Sequence, residues 1–329
     1  MTPRGALLRL LADGEPHPAT ALARALDLTP AALAAQLAGL ADWGLTVAPA
    51  APAGYQLTAP VELIDPACLE AALGAGARAR LERLEVHDEL DSTNSRLLAA
   101  TDLAKGRARV AIAEYQSHGR GRRGRHWLQP FGSGLCLSLA WLFATPPADL
   151  GALSLAAGVA TLRALGRLGV TGLALKWPND VLRDGGKLGG ILAELRLEAA
   201  GPAYVVVGVG LNVRLPASVA AALAGTAGLP PADLAGGATP PPARARLAAV
   251  LVDELVAALI EFEARGFAPF RAEWSAADVL RDRRVRVHGA DRVRDGIARG
   301  IGADGTLQVE IGGRVESLTS GEVTLRAVA

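Results

Sequence analysis

Between Tyr115 and Trp127 the sequence reads YQSHGRGRRGRHW, with Gly119, Gly121 and Gly124 spaced among Arg120, Arg122, Arg123 and Arg125. Arginine offers a permanently charged, planar fork suited to carboxylate and phosphate, and glycine lets backbone approach a ligand closely. A β-prone run, Val110 to Ala113, leads in, and a second, Leu135 to Leu142, follows. The segment is therefore expected to be a loop between two strands that closes over a polyanion. Its like charges repel and few apolar contacts hold them, so it is expected to be mobile when empty and ordered by ligand. The three glycines also fit G-x-G-x-x-G, but the dinucleotide fingerprint needs a helix at its third glycine and an acid about 20 residues on. Here Gly124 runs into RHWLQPFG, and the next acid is Asp149 in a Pro-rich turn. The dinucleotide reading fails.

A second constellation is KWPNDVLRDGGKLGGILAE, Lys176 to Glu194. The chain uses Arg almost everywhere and holds only three lysines (Lys105, Lys176, Lys187) and three asparagines (Asn94, Asn179, Asn212). A lysine kept against that bias suggests a place needing a compact, tunable ammonium. Asp184-Gly185-Gly186 is hairpin chemistry, which should pair Val181-Leu182 with Ile191 to Leu195 and set Lys187 at the start of the returning strand. Asp180 could carry chemistry or form a plain ion pair with Lys176. Upstream, Asp91 or Ser92 can cap a helix, while Thr93 and Asn94 offer polar atoms beyond what capping needs. Gly208 and Gly210 interrupt the apolar strand Ala203 to Val213, as glycines do where something approaches closely. His87 has no partner in sequence and reads as a strand-end histidine.

These residues need scaffolding, and 329 residues suffice for two or three domains with a substantial core. A net charge of +1 gives no whole-molecule attraction to nucleic acid or membrane. Cys68 and Cys136 form no metal or redox pattern, which suits a reduced, cytoplasmic protein. No secretory leader and no membrane-length apolar run is evident. Residues 1–60 read as three short helices and a two-stranded hairpin, the pattern of a winged helix-turn-helix. Residues 61–276 hold the motifs. Residues 277–329 switch to period-two strands with turns at Asp304-Gly305 and Gly312-Gly313, a small all-β barrel.

Taken in order, DSTN, AEYQSHGRGRRGRHW, KWPNDVLRDGGKLGGILAE, GVGLNV and GEVTLR resemble the biotin protein ligases of the bacterial type that also serve as biotin operon repressors. The resemblance spans nearly the whole chain. It implies an α+β fold with an N-terminal winged helix-turn-helix, a central mixed sheet with helices like that of class II tRNA synthetases, and a C-terminal SH3-like β-barrel. It also implies the reaction. Biotin and ATP, with Mg²⁺, give biotinyl-5′-AMP and pyrophosphate, and biotin then passes to a lysine of the biotin carboxyl carrier protein of acetyl-CoA carboxylase.

Carried onto this sequence, the resemblance places Ser92, Thr93, Asn94 and Gln116 at biotin's ureido ring. It adds Arg120, Gly121, Arg122, Lys187, Gly189, Gly208 and Gly210 to the biotin side. Arg122, Arg125, Trp127, Lys176, Asn179, Asp180 and Asn212 fall on the nucleotide side, with Mg²⁺ near Asn179 and Asp180 and no metal site built by protein alone. Glu322 and Arg326 match a segment that reaches back towards ATP. Lys187, Arg120, Arg122 and Asp180 are the catalytic candidates, with Asp180 orienting the acceptor amine. The family implies a homodimer through a sheet edge.

Two rival readings differ in what they require. A repressor whose pocket is only a sensor would bind biotin but needs no ATP motifs. A lipoate ligase would share the adenylation chemistry but not the polar ureido-binding set. Operator binding is a separate matter, because the expected recognition helix, Ala31 to Asp42, holds no Lys or Arg. Residues 1–60 carry three arginines against four acids, a net of −1, and DNA affinity comes largely from neutralising phosphates.

Overall fold

The structure, a computed structural model, describes residues 2–100, 102–197, 201–224, 229–237, 240–288, 293–319 and 324–327. Three helices, α1 (Pro3–Leu11), α2 (Ala19–Ala25) and α3 (Pro30–Gly39), begin the chain. α1 and α3 each start on a threonine whose hydroxyl accepts a backbone N–H, with proline at the first helical position. α3 is shorter than expected: Gly39 ends it, and Leu40–Trp43 form a single 3₁₀ turn. Strands β1 (His17–Pro18), β2 (Val47–Ala50) and β3 (Gly54–Leu57) make a small antiparallel sheet in the order β1-β3-β2.

Two short helices, α4 (Pro66–Ala72) and α5 (Ala75–Arg80), come next. Strand β4 (Leu81–Leu90), helix α6 (Thr93–Leu98) and strands β5 (Ala108–Gln116) and β6 (Gly134–Phe143) follow. Next come α7 (Leu153–Arg167), β7 (Leu173–Lys176), β8 (Asp180–Arg183), β9 (Gly186–Leu197) and β10 (Ala203–Asn212). These strands form one mixed sheet in the order β4-β5-β6-β10-β9-β8-β7. Only β4 and β5 run parallel within it; the other neighbours are antiparallel.

Period-two alternation sorts the faces of this sheet. Leu137, Leu139, Trp141 and Phe143 of β6 and Val205, Val207 and Val209 of β10 join the main core, under α7 and the long helix that crosses it. Ala140, Tyr204 and Val206 face the other way, towards Leu97 of α6. On that same face, nearer the β5–β6 loop, the cross-strand pairs are small: Ser138 opposite Gly208 and Cys136 opposite Gly210. Small side chains there leave room above the sheet.

After β10 come α8 (Ala217–Ala224), α9 (Arg244–Arg265) and α10 (Arg271–Ala277). A five-stranded antiparallel sheet follows: β11 (Arg284–His288), β12 (Val293–Ile301), β13 (Leu307–Ile311), β14 (Arg314–Leu318) and β15 (Thr324–Ala327), in the order β14-β13-β12-β11-β15. Its buried Val285, Val287, Leu307 and Val309 belong to the same apolar cluster as the central sheet. Trp177 Nε1–H donates to Gly305 O (3.1 Å) across that junction. The N-terminal helices keep a separate core, closed by Phe131 from the segment after the Arg-Gly loop. Trp43 stacks on Phe131 at 4.8 Å, and Phe131 N–H donates to Trp43 O.

Candidate active site

The β5–β6 loop, the start of α6 and strands β8 to β10 enclose a cavity of about 430 Å³, a size suited to a small organic ligand. Of the sequence-nominated residues, Ser92, Thr93, Asn94, Gln116, Arg120, Gly121, Arg122, Arg125, Trp127, Asn179, Asp180, Lys187, Gly208, Gly210 and Asn212 line it. Lys176 and Gly189 do not. Gly189 is packed against the Gly210 carbonyl, where a Cβ would collide. Lys176 lies across the ladder from Asp180 on the outer strand β7. Glu322 lies outside the described residues, and of Arg326 only its place in β15, opposite Arg286, is described.

At the α6 end the polar atoms form a connected set. Ser92 caps the helix, its Oγ accepting Ser95 N–H at 3.4 Å, which turns Thr93 and Asn94 inward. Thr93 N–H and Oγ1–H both donate to Gln116 Oε1 (2.8 and 3.1 Å). Ser138 Oγ lies 2.7 Å from Thr93 Oγ1 and 2.6 Å from Asn94 Oδ1. Ser92 therefore serves as both cap and cavity wall. Ser138, which these bonds depend on, was not singled out in the sequence because its strand reads only as apolar.

Glycine explains how the loop meets the sheet. A Cβ on Gly208 would overlap the Asn94 amide, and one on Gly210 would lie 2.6 Å from the Trp127 ring. Trp127 Nε1–H donates to Gln129 Oε1 (3.2 Å), and Trp127 N–H to Gly119 O (2.8 Å). The loop is also tied by Arg122 Nη1–H to Asn179 Oδ1 (3.4 Å) and by an ion pair between Arg120 and Glu194. Polar contacts thus tie the loop to the sheet, with the Trp127 ring packed against Gly210.

The hairpin expected at Asp184-Gly185 is present, both residues having positive φ (48° and 79°). Its register corrects one expectation: Val181 and Leu182 pair with Gly189 and Lys187, while Ile191 to Leu195 pair with β10. That register brings Lys187 Nζ within 2.6 Å of Asp180 Oδ1. Asp180 thus forms an ion pair with Lys187 across the hairpin. His87 lies within β4 and contacts Glu85 at 3.0 Å, away from the cavity.

The electrostatics favour an anion. Burial, and then the charges of Arg123 and Arg125, push the Arg122 guanidinium below its ordinary pKa. A bound anion would relieve that repulsion. Asp180 is the one carboxylate among the described residues that line the cavity. No cluster of three or more His, Cys, Asp or Glu side chains that could hold a metal occurs among the described residues. The thiol of Cys136, on the cavity floor, is pushed up to about 12 by burial, so it stays neutral and is no nucleophile.

A polar pocket at one end, cations at the other and a neutral Cys136 thiol suit a site for joining anionic substrates, as in an ATP-dependent adenylating ligase. A model of the biotin/lipoate A/B protein ligase family matches residues 88–212. The bifunctional ligase/repressor BirA of Escherichia coli is 37% identical, over 98% of this chain and 96% of its own. The biotin–[acetyl-CoA-carboxylase] ligase of Mycobacterium tuberculosis is 40% identical, over 76% of this chain and 91% of its own. The biotin protein ligase from Aquifex aeolicus, solved in complex with biotin and ATP, shares the fold, with a TM-score of 0.61 and 24% identity over 75% of this chain and all of that one. The chain belongs to the biotin/lipoate A/B protein ligase family, among its biotin protein ligases.

Proposed function

We infer that this protein is an ATP-dependent biotin protein ligase that adenylates biotin and transfers it to a lysine of a biotin carboxyl carrier protein. The observation that carries this reading is one cavity with a Ser/Thr/Asn/Gln set at one end and Arg122, Arg125 and Lys187 at the other. A ureido ring presents a C=O and two N–H groups, which need both donors and acceptors. Ser92, Thr93 and Gln116 offer both, Thr93 and Gln116 holding each other in place, while Asn94, held by Ser138, Leu192 and Glu194, shapes the wall. A lipoyl ring presents no N–H or C=O to match them.

In the first half-reaction the biotin carboxylate attacks the α-phosphorus of ATP; a C–O–P bond forms and pyrophosphate leaves. The substrate is the nucleophile, consistent with the neutral Cys136 thiol. The protein must keep two anions together and neutralise charge growing on the phosphoryl oxygens. Arg122 and Arg125 do this from the loop and Lys187 from the hairpin. Asn212, buried with its Oδ1 unpartnered on the cavity wall, offers an acceptor to a nucleotide N–H or O–H. Trp127, against Gly210, supplies a flat face for the adenine.

Magnesium usually enters such sites on substrate phosphates, with one or two protein oxygens and several waters. The oxygen donors of Asp180 and Asn179 fit that sparse requirement and would hold it. When bound, it adds positive charge at the phosphate oxygens. In the second half-reaction the acceptor lysine amine attacks the biotinyl carbonyl; a C–N bond forms, AMP leaves, and the amine loses a proton. Asp180 orients that amine.

The molecule reads as a winged helix-turn-helix over residues 1–60, a catalytic unit over 61–276 and an SH3-like barrel over 277–329. A homodimer through a sheet edge and a cytoplasmic location accompany this reading, and no helix among the described residues is long and apolar enough to cross a membrane. The test is ATP-dependent pyrophosphate release with biotin and with lipoate. Release with biotin alone supports the reading; release with lipoate alone overturns it.

A further inference from the structure

Glu194 sits on β9 and does not line the cavity, yet its carboxylate holds two groups that do. It forms an ion pair with Arg120 of the Arg-Gly loop, and Oε2 accepts a hydrogen bond from Asn94 Nδ2 at 2.8 Å. We propose that Glu194 is a positioning residue for biotin binding: it straps the loop to the sheet through Arg120 and fixes the Asn94 amide through the same carboxylate. This rests on the ligase reading above.

The Asn94 side chain is buried, and its polar atoms are committed. Oδ1 accepts from Ser138 Oγ–H (2.6 Å), while Nδ2 donates to Leu192 O (3.2 Å) and Glu194 Oε2 (2.8 Å). Turning the amide over would set its oxygen against two acceptors, so Glu194 and Leu192 together fix which atom faces Ser138 and Gly208. A Cβ at Gly208 would strike that oxygen, which places the amide directly over the floor of the cavity.

Arg120 and Lys187 are both paired with carboxylates, but in different settings. Asp180 lines the cavity beside Lys187, so that pair opens onto the substrate space. Glu194 stands on β9 two residues beyond the lining residue Leu192, so its ion pair ties Arg120 to the sheet at the edge of the cavity. Arg120 therefore acts as the strap of the loop, and neutralising substrate charge falls to Arg122, Arg125 and Lys187. A ligand-touching group is only as well placed as the residues supporting it, and one carboxylate here supports the loop and the biotin pocket together.

The experiment is a mutant cycle on the full-length protein, read by biotin-dependent pyrophosphate release, with Glu194→Ala, Glu194→Gln, Arg120→Ala and the Glu194→Ala/Arg120→Ala double variant. Each alanine variant is expected to raise the KM for biotin about tenfold with kcat within about threefold, and the double variant to be little worse than either single one. Glu194→Gln retains an acceptor for Asn94 but not the charge, so its KM effect should be smaller. Trypsin should cut its biotin-free loop faster than the parent's, and biotin with ATP should remove the difference. Multiplying effects in the double variant, or an unchanged biotin KM in the singles, would overturn the proposal. Should the alanine variant not fold, a Glu194→Gln protein with parental KM and parental loop cleavage overturns it equally. A parent inactive with biotin overturns the ligase reading; an active parent matched by its variants overturns only the strap.

Discussion

Lys187 Nζ lies 2.6 Å from Asp180 Oδ1, across a hairpin closed by two residues of positive φ. The pair places an ammonium and a carboxylate side by side on the cavity wall, and in the proposed reaction the first serves adenylation and the second transfer. Removing the ammonium should leave the sheet intact, because both side chains are about a quarter exposed (26% and 20%) and can be rehydrated. Lys187→Ala is expected to lower biotin-dependent pyrophosphate release about 10²–10³-fold, the typical loss for one preorganised transition-state contact. A variant within about threefold of the parent, under ~0.7 kcal/mol of barrier, would remove Lys187 from the chemistry.

Gly208 and Gly210 stand two residues apart on β10 and meet different parts of the site. A methyl at 208 strikes Asn94 and one at 210 strikes Trp127. Gly208→Ala should therefore raise the KM for biotin more than that for ATP, and Gly210→Ala should do the reverse. Displacements near 1 Å at a reacting site can cost about 100-fold, so at least about tenfold is expected for the matched substrate. Equal effects of both variants on both substrates would contradict the two-ended cavity.

Some of this arrangement could be read in advance and some could not. The hairpin turn, the floor glycines Gly208 and Gly210 and the apolar strands follow from local pattern. Partner choice does not: the Asp180–Lys187 ion pair follows from the β8–β9 register rather than from nearness in sequence. Glu194 sat inside a recognised motif without a role, since only the fold shows that it meets Asn94 and Arg120. The buried pair Arg244–Glu114 (2.6 Å), whose arginine also donates to Gly134 O and Glu62 O, joins positions 130 residues apart. Nothing local announces such a contact.

Glu85 gives a pH prediction outside the site. The Arg96 guanidinium, foremost among its partners, holds its carboxyl down to about 2, against desolvation, and His87 adds to the effect. A carboxylate depressed on folding stabilises the folded state above its unfolded pKa and loses that contribution as pH falls through the folded value. The contribution should be full above pH about 4.5 and disappear towards pH about 2. Its size is about 1–2 kcal/mol, because Arg96 and Arg83 are substantially exposed and screened. Thermal melts should show the parent losing Tm over this window more steeply than Glu85→Gln; parallel curves would refute the coupling.

The N-terminal helices bear on DNA binding. Of their three arginines, Arg4 lies over Trp43 and within 3.5 Å of Asp42, and Arg9 pairs with Asp88 at 2.9 Å. The exposed positions of α3 include Ala31, Ala34, Ala35 and Ala38, which offer neither phosphate contacts nor base readout. Fluorescence anisotropy with the biotin-operon promoter, biotin and ATP at ~0.15 M salt should give no sequence-specific Kd tighter than ~10⁻⁷ M. Tighter specific binding would show that the module reads DNA through other groups.

Incubating the protein with biotin and ATP labelled at the α-phosphate, without acceptor, tests the central claim most directly. The expected result is enzyme-held biotinyl-5′-AMP in equal amount to pyrophosphate, discharged as AMP when a biotin carboxyl carrier domain is added and its lysine becomes biotinylated. No label should transfer when lipoate replaces biotin. Absence of a biotin adenylate from the folded, full-length protein, or an adenylate formed on lipoate instead, would contradict it.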